Sequence, residues 1–388
     1  MKIKFISCFF ATSYGAYTDA LRRSLERRLG DEVGVISTNC GCGDPMEVKR
    51  IFQNQRCDYF ELPHINYFKS TNPVKYWLRN TLRQLTYRKR AQQYQVRAGD
   101  ADLLHLQQTL NAFGSVTTFN WLRLPSAAAR VVTVHELDPY QVDFPKSNLT
   151  YNRADRIIVH AHEMKEKLVK YGVASERIDV VEHGVEVKPL PQATRQGIIF
   201  YGGHKLHTGK GLETLFKAMV KVRETLGADT PTLTIHGHYG DTTPKYGLDL
   251  TAQYGLSDVL RWLNQIPLKD AVNEYRKAQL CVLPYTGSFA GFPAATAMAN
   301  GVPVIATRHA GLPEHLGDAA VWIDDDDSEG LAAAMLRLLG DTAARDQLAQ
   351  TGRARAERLL SWDVIAEKTL VSYQTALDYK MGAQKRKA

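Results

Sequence analysis

The sequence predicts an α/β protein made of two doubly wound halves, each a parallel sheet with helices on both faces. Three observations predict it. At 388 residues the chain exceeds what one ordinary hydrophobic core serves, so two domains are expected. Apolar runs alternate with helical patterns almost throughout, the mark of successive βαβ units. A proline-rich polar break, "VEVKPLPQATRQ" at 185–196, then divides the pattern into two similar parts joined by a short linker.

The strand-like runs are 3–8, 33–37, 59–62, 103–106, 131–134, 157–160 and 178–181 in the first half. In the second half they are 197–201, 233–236, 260–263, 280–283, 302–307 and 320–323. Their continuous apolar character, without polar alternation, fits strands buried on both faces. Helical patterns lie between them at 17–29, 163–171, 212–223 and 330–339, and two more, 343–360 and 362–379, close the chain before a basic tail. In such sheets ligands bind beyond the carboxyl ends of the strands, so the default site is the cleft between two facing halves.

Composition narrows the function classes. Apolar residues make up 44% and charged residues 23%, as in soluble globular proteins. The five cysteines form no CxxC pair, which fits a reduced, cytoplasmic protein with inert thiols. The opening "MKIKFISCFF" reads as a first buried strand rather than a signal peptide, and no apolar segment reaches the roughly eighteen residues that span a bilayer. The net charge of +8 is uneven, for residues 62–99 carry eight Lys/Arg and no Asp/Glu. Within them, Pro73 opens a helix with Lys75, Arg79 and Arg83 at four-residue spacing. Val74, Leu78, Leu82 and Leu85 form an apolar stripe beside them, with Tyr76 and Trp77 adjacent. A basic amphipathic helix of this kind fits an anionic membrane surface; the alternative is an ordinary domain helix packing its leucines and solvating its charges. The segment lacks a nucleic-acid motif, and no nucleic-acid partner is expected.

Three stretches carry candidate chemistry. In "IIFYGGHKLHTGKGLETLF" a strand ends at Gly202 and Gly203, the loop supplies Lys205 and Lys210, and Gly211 opens a helix. Glycines admit close backbone approach, and lysines beside a helix amino terminus form an anion site. In "RVVTVHELDPY" a buried strand delivers His135 at its carboxyl end, where imidazole can bind a hydroxyl or stabilise developing charge. Gly15, between the first strand and its helix, is a weaker candidate for backbone approach to a phosphate. The third stretch, "YTGSFAGFPAATAMANGVPVIAT" at 285–307, has no charged side chain, so a ligand there would meet backbone N–H groups and hydroxyls. "IDDDDSE" at 323–329 has DxD spacing but reads as a polar loop with a helix N-cap. His236 and His238 alternate on a strand end and do not suit shared zinc.

Together these motifs resemble the retaining GT-B glycosyltransferases of glycosyltransferase family 4. The resemblance is best over 197–340 and adequate over 1–185. Lys205 and Lys210 match the family's "GR-L-x-x-x-KG" diphosphate loop, with Lys replacing Arg; His135 matches its strand-end histidine and Gly15 its first-loop glycine. "YRKAQLCVLP" resembles the run into its donor loop, and "ANGVPVIATRHAGLPEHLGD" its "A-x-G-x-P-V-V-A-T…G-x-P-E" signature. One departure stands out. The family's "EGFGLxxxEAMAxG" has two glutamates, and alignment on "TAMANG" puts Ser288 and Thr296 in their places.

The resemblance implies two Rossmann-like domains facing across a cleft: an acceptor-side domain over 1–188 and a nucleotide-sugar donor domain over 189–361. It also implies a carboxy-terminal helix over 362–388 that crosses back to the first domain. The implied donor contacts are Gly203, Ser288, Phe289, Ala290, Gly291, Phe292 and Thr296, with Lys205 and Lys210 neutralising the diphosphate and His135 orienting the sugar. No metal or other cofactor is expected. The implied partners are a nucleotide-diphosphate sugar and a glycan or lipid-linked acceptor. The expected setting is cell-surface polysaccharide or glycolipid synthesis, at the inner face of the membrane. The missing glutamates leave a second reading, a catalytically silent subunit that binds nucleotide or glycan or scaffolds a partner enzyme.

Overall fold

The computed structural model describes residues 1–7, 13–30, 33–38, 57–60, 73–108, 121–135, 149–190, 195–203, 206, 208–237, 244–263, 268–286, 291–309 and 311–385. The chain forms two compact units, Met1–Val181 together with Ile365–Ala388, and Glu182–Val364.

The first unit holds a seven-stranded sheet in the order β3-β2-β1-β4-β5-β6-β7. Its strands are β1 (Ile3–Ser7), β2 (Val33–Thr38), β3 (Cys57–Phe60), β4 (Leu103–Gln108), β5 (Ala129–Val134), β6 (Arg156–Val159) and β7 (Ile178–Val180). Every pairing is parallel; β4 on β5, for example, runs from Leu103↔Ala129 to Gln108↔Val134. All six residues of β5 are buried, as a parallel strand covered on both faces requires. The helices are α1 (Ser13–Leu29), α2 (Pro73–Ala98) and α3 (His162–Lys170). Arg130, itself buried, ties the strand start to its surroundings. Its guanidinium donates to the carbonyls of Leu122 (3.1 Å), Leu124 (2.8 Å) and Arg153 (3.2 Å).

The second unit holds a six-stranded parallel sheet, β10-β9-β8-β11-β12-β13. Its strands are β8 (Ile198–Gly203), β9 (Leu233–Gly237), β10 (Leu260–Leu263), β11 (Leu280–Leu283), β12 (Val304–Thr307) and β13 (Ala320–Ile323). The helices are α4 (Leu212–Leu226), α5 (Lys245–Tyr254), α6 (Leu268–Lys277), α7 (Gly291–Ala299), α8 (Leu312–Leu316), α9 (Ser328–Gly340) and α10 (Thr342–Arg355). A π-helical turn, Ala356–Leu360, leads into α11 (Trp362–Lys385). On α4 the buried Leu212, Leu215, Phe216, Met219 and Val222 recur with helical period, so one face enters the core against the sheet. The four-aspartate run serves α9 as the sequence suggests, with Asp327 accepting from the Gly330 amide at 2.8 Å.

From residue 365 onward α11 belongs to the first unit. Tyr373 is fully buried there and lies 2.6 Å from the His105 ring, Glu367 pairs with Arg28 at 2.9 Å, and Lys380 donates to the Ser126 carbonyl at 2.6 Å. In α2, Ala91, Tyr94 and Ala98 are buried, whereas Val74, Leu78, Leu82 and Leu85 are 72%, 52%, 47% and 56% exposed. The alternative of a leucine face packed into the domain is therefore not what this helix does. Of the basic and aromatic positions read from the sequence, the backbone of Lys75, Trp77, Arg79 and Arg83 is helical, and their side chains lie outside the description.

Candidate functional site

In the second unit the strand order reverses between β8 and β11, and open α/β sheets bind ligands beyond the carboxyl ends of such a pair. Gly203 ends β8, with a register irregularity in the pairing with β9 between Tyr201 and Gly203. The chain then makes a 3₁₀ turn, Thr208–Lys210, before α4. Gly211 connects them at φ 66°, in the left-handed region, and a Cβ there would collide with the Pro284 carbonyl oxygen just beyond β11. Thr286 N–H donates to the Gly209 carbonyl at 3.1 Å, a second tie between the two loops.

This clamp delivers Lys210. Its side chain is buried, with Nζ 4.3 Å from the Tyr285 ring centroid. Gly203 has φ 79°, and a Cβ there would fall 3.2 Å from Lys210 Cε and 3.3 Å from Nζ, so the missing side chain leaves room for the lysine. The Tyr285 hydroxyl in turn donates to the Tyr201 carbonyl, which fixes the ring under the ammonium. Lys210 is thus a buried cation held by a ring face and two glycine turns at the sheet's switch point, where open α/β sheets bind their ligands.

Helix α7 starts at Gly291 in the same unit, and Phe292 packs its ring 6.1 Å from Tyr201 and 5.9 Å from His183. Thr296 is 1% exposed, and its hydroxyl makes no hydrogen bond among the described residues. A buried, unsatisfied hydroxyl costs on the order of 1–3 kcal/mol. It stands at the position where the family resemblance places a carboxylate. Lys205, Ser288, Phe289 and Ala290 lie outside the described residues, as does His238. His236 is a core residue, within 3.2 Å of the Tyr275 hydroxyl.

In the first unit His135 follows β5 directly and is 4% exposed. Both ring nitrogens are engaged: Nε2 lies 2.7 Å from Gln107 and Nδ1 3.0 Å from His160 Nε2. Tyr17 of α1 packs edge-on against the ring at 4.8 Å. Gln107 also reaches His105, whose pKa is lowered to about 3 by burial first and then by the charge of His160. Gly15 sits in the first turn of α1 and is buried, inside the helix rather than in the loop before it. Sequence reading missed Gln107, His160, His105 and Tyr373, because nothing local marks them; only the alternation of β4 aims both His105 and Gln107 at the same neighbours.

Two parallel, doubly wound sheets in two units are the architecture of the GT-B fold of glycosyltransferases. The chain belongs to glycosyltransferase family 4. Residues 15–188 match the model "Glycosyltransferase Family 4" and residues 195–341 the model "Glycosyl transferases group 1". Among characterised relatives, an MMP α-(1→4)-mannosyltransferase of Mycolicibacterium hassiacum is 27% identical over 216 residues, 54% of this chain and 51% of that protein. A D-inositol 3-phosphate glycosyltransferase of Nocardia farcinica is 31% identical over 245 residues, 58% of this chain and 53% of that protein. These matches thus span about half the length of each relative. Solved structures share the fold along nearly the whole chain. Sucrose-phosphate synthase of Thermosynechococcus elongatus superposes with TM-score 0.73 at 19% identity, covering 96% of this chain and 98% of that one. HepE of Anabaena, solved with UDP and glucose, superposes with TM-score 0.72 at 16% identity, covering 96% and 99%.

Proposed function

We propose that this chain transfers a sugar from a nucleotide-diphosphate sugar to a glycan or lipid-linked acceptor, with retention at the anomeric carbon and without a metal. The observation that carries the proposal is Lys210, a buried cation seated over Tyr285 against the backbone of Gly203. Breaking the bond from the sugar to a diphosphate leaves negative charge on the phosphate. A preorganised cation in a water-poor setting stabilises that charge without reorganising. The amides at the start of α7 would add their partial positive charge, Lys205 a second cation, and Thr296 a hydroxyl donor. His135 would orient the sugar or stabilise charge, the role its family match implies.

A thermal-shift screen of nucleotide-diphosphate sugars finds the donor, since a ligand at one hundred times its Kd stabilises the fold by about 2.7 kcal/mol. Turnover of that donor, measured with a chelator present and with the product anomer read by NMR, then tests transfer, metal independence and retention together. Turnover that disappears in Lys210→Met and His135→Ala supports the reading. Donor binding with no hydrolysis or transfer under any acceptor would sink it in favour of a catalytically silent binding subunit.

The setting we propose is the inner face of a membrane, in the assembly of a cell-surface polysaccharide or glycolipid. The exposed stripe of Val74, Leu78, Leu82 and Leu85 on α2, in a segment with eight basic and no acidic residues, supports it. None of the described helices is long and apolar enough to cross a membrane, so association would be at the surface. Co-sedimentation with phosphatidylglycerol vesicles should fall when Leu78 and Leu82 become serine, and again when Arg79 and Arg83 become glutamine. Equal binding to neutral and anionic vesicles, unchanged in these variants, would end the membrane reading.

A further inference from the structure

Five polar side chains run in an unbroken line through the first unit: Tyr373 of α11, His105 and Gln107 of β4, His135 after β5 and His160 after β6. The line ends at the Val181 carbonyl, 2.9 Å from His160 Nδ1. A carbonyl only accepts, so His160 carries its proton on Nδ1 and, when neutral, accepts at Nε2. With His160 neutral, His135 Nδ1, 3.0 Å away, is the donor. The tautomer of neutral His135 is settled from that side: Nδ1 is protonated and Nε2 holds the lone pair.

The other side is a side-chain amide, which can present either end. If the Gln107 NH₂ group faces His135, it donates to Nε2 of a neutral ring. The Gln107 oxygen then faces His105 Nε2 at 3.3 Å, where it shares that proton with Thr133 Oγ1 at 2.7 Å, and His105 Nδ1 accepts from the Tyr373 hydroxyl at 2.6 Å. In the structure the amide is turned the other way, with Oε1 2.7 Å from His135 Nε2 and Nε2 toward His105. An oxygen there needs a proton on His135 Nε2 as well, so the His135–His160 pair carries one proton more, and with His160 neutral the His135 ring is an imidazolium. His105 then accepts at Nε2 and donates from Nδ1 to Tyr373. Between the two states one proton is taken up by the His135–His160 pair; the His105 proton only changes nitrogen.

We infer that Gln107 and His160 are positioning residues that set the protonation state of His135, His160 by fixing its tautomer and Gln107 by turning its amide as the ring gains a proton. Its consequence for sugar transfer rests on the function proposed above. The ring held in this way offers positive charge at a strand end where the family places the donor, and the amide turn couples that charge to α11 through Tyr373. The titratable groups facing His135 include His160, Tyr17 and, through Gln107, His105. Burial holds Tyr17 protonated and His105 uncharged, so neither competes for the proton that the His135–His160 pair takes up.

The test is a two-bond nitrogen–proton spectrum of the full chain with ¹⁵N-labelled histidines, with His135 assigned by difference from His135→Gln. Wild type should show His135 protonated at Nδ1 throughout, with Nε2 titrating. Gln107→Glu, whose carboxylate only accepts, should hold the imidazolium to a pH at least about one unit higher. His160→Leu should populate both neutral tautomers, and His160→Gln should restore one. Tyr373→Phe, a near-isosteric change that keeps the fold, should move the His105 tautomer equilibrium. An unshifted His135 titration in folded Gln107→Glu, or an unmoved His105 in Tyr373→Phe, overturns the relay. Donor turnover across the same pH range separates the two questions. Spectra that shift as expected in a protein without turnover leave the relay standing and remove the glycosyltransferase reading. Turnover with unmoved spectra does the opposite.

Discussion

Gly211 lies so close to Pro284 that the proline carbonyl occupies the space a Cβ would need. The contact joins the loop that carries Lys210 to the loop that follows β11, so two segments more than seventy residues apart in sequence form one rigid edge. The site rests on this closeness, and it can be broken one atom at a time.

Gly211→Ala should therefore cost more than a left-handed residue alone. Alanine at such φ costs roughly 1–2 kcal/mol, and the collision adds to it. Gly255→Ala is the comparison, since Gly255 is also left-handed and meets only the end of Arg223 at 4.0 Å. Urea unfolding should show the Gly211 variant losing at least about 1 kcal/mol more than the Gly255 variant, together with its nucleotide affinity. Equal losses would mean that the loops part without penalty.

Lys210→Met keeps the volume and removes the charge. The fold should hold, while donor turnover falls by roughly a hundredfold or more, the scale of losing one preorganised charge contact. Isothermal titration with nucleoside diphosphates checks the binding half, and unchanged affinity would place the diphosphate elsewhere.

Thr296→Val separates a structural hydroxyl from a ligand-binding one. The buried oxygen has no partner among the described residues, so an isosteric methyl should leave the ligand-free protein unchanged or stabilise it by up to about 1 kcal/mol. Thermal unfolding with and without the donor reads both effects. A weaker donor-induced shift in the valine variant identifies Thr296 as a donor contact, and an identical shift removes it from the site.

Arg130→Met should destabilise the first unit by roughly 2–4 kcal/mol, because the Leu122, Leu124 and Arg153 carbonyls lose their donor together. Chemical denaturation of the variant measures it, and a loss below about 0.5 kcal/mol would show water replacing the guanidinium.

Acid should destabilise the protein through its buried histidines. His105 is depressed to about 3, and burial also pushes His315 below the ordinary value. The unfolded chain binds protons at pH 6.5 and below while these folded rings do not. Their contribution is complete above about pH 6.5 and is lost as pH falls below it, for His105 toward about 3, by at most about 1.4 kcal/mol per pH unit for each ring. His105→Gln should flatten that acid limb in a stability–pH profile; an equally steep limb would assign it to other groups.

Much of the architecture was legible in the chain. A parallel strand covered on both faces must be apolar along its whole length, so runs such as "RVVTV" and "LCVL" show where β5 and β11 lie whatever surrounds them. Gly203 and Gly211 beside Lys210 were marked for a similar local reason, since close backbone approach excludes a side chain. The exposure of Val74, Leu78, Leu82 and Leu85 was not legible, because an apolar helical stripe reads the same whether a core or solvent faces it. The loss of charge at 288 and 296 was visible in sequence, but only the packing of α7 showed that the Thr296 hydroxyl has no partner among the described residues.

The relay behind His135 belongs wholly to the tertiary structure. His105 and Tyr373 stand 268 residues apart, and their meeting depends on α11 settling in the first unit. Hydrophobic period and backbone conformation are set by neighbours along the chain, so the sequence determines the strands, the helices and the glycine turns. The partners of a buried polar atom are set by whatever element packs beside it, and only the folded protein decides that His135 shares its protons with Gln107 and His160.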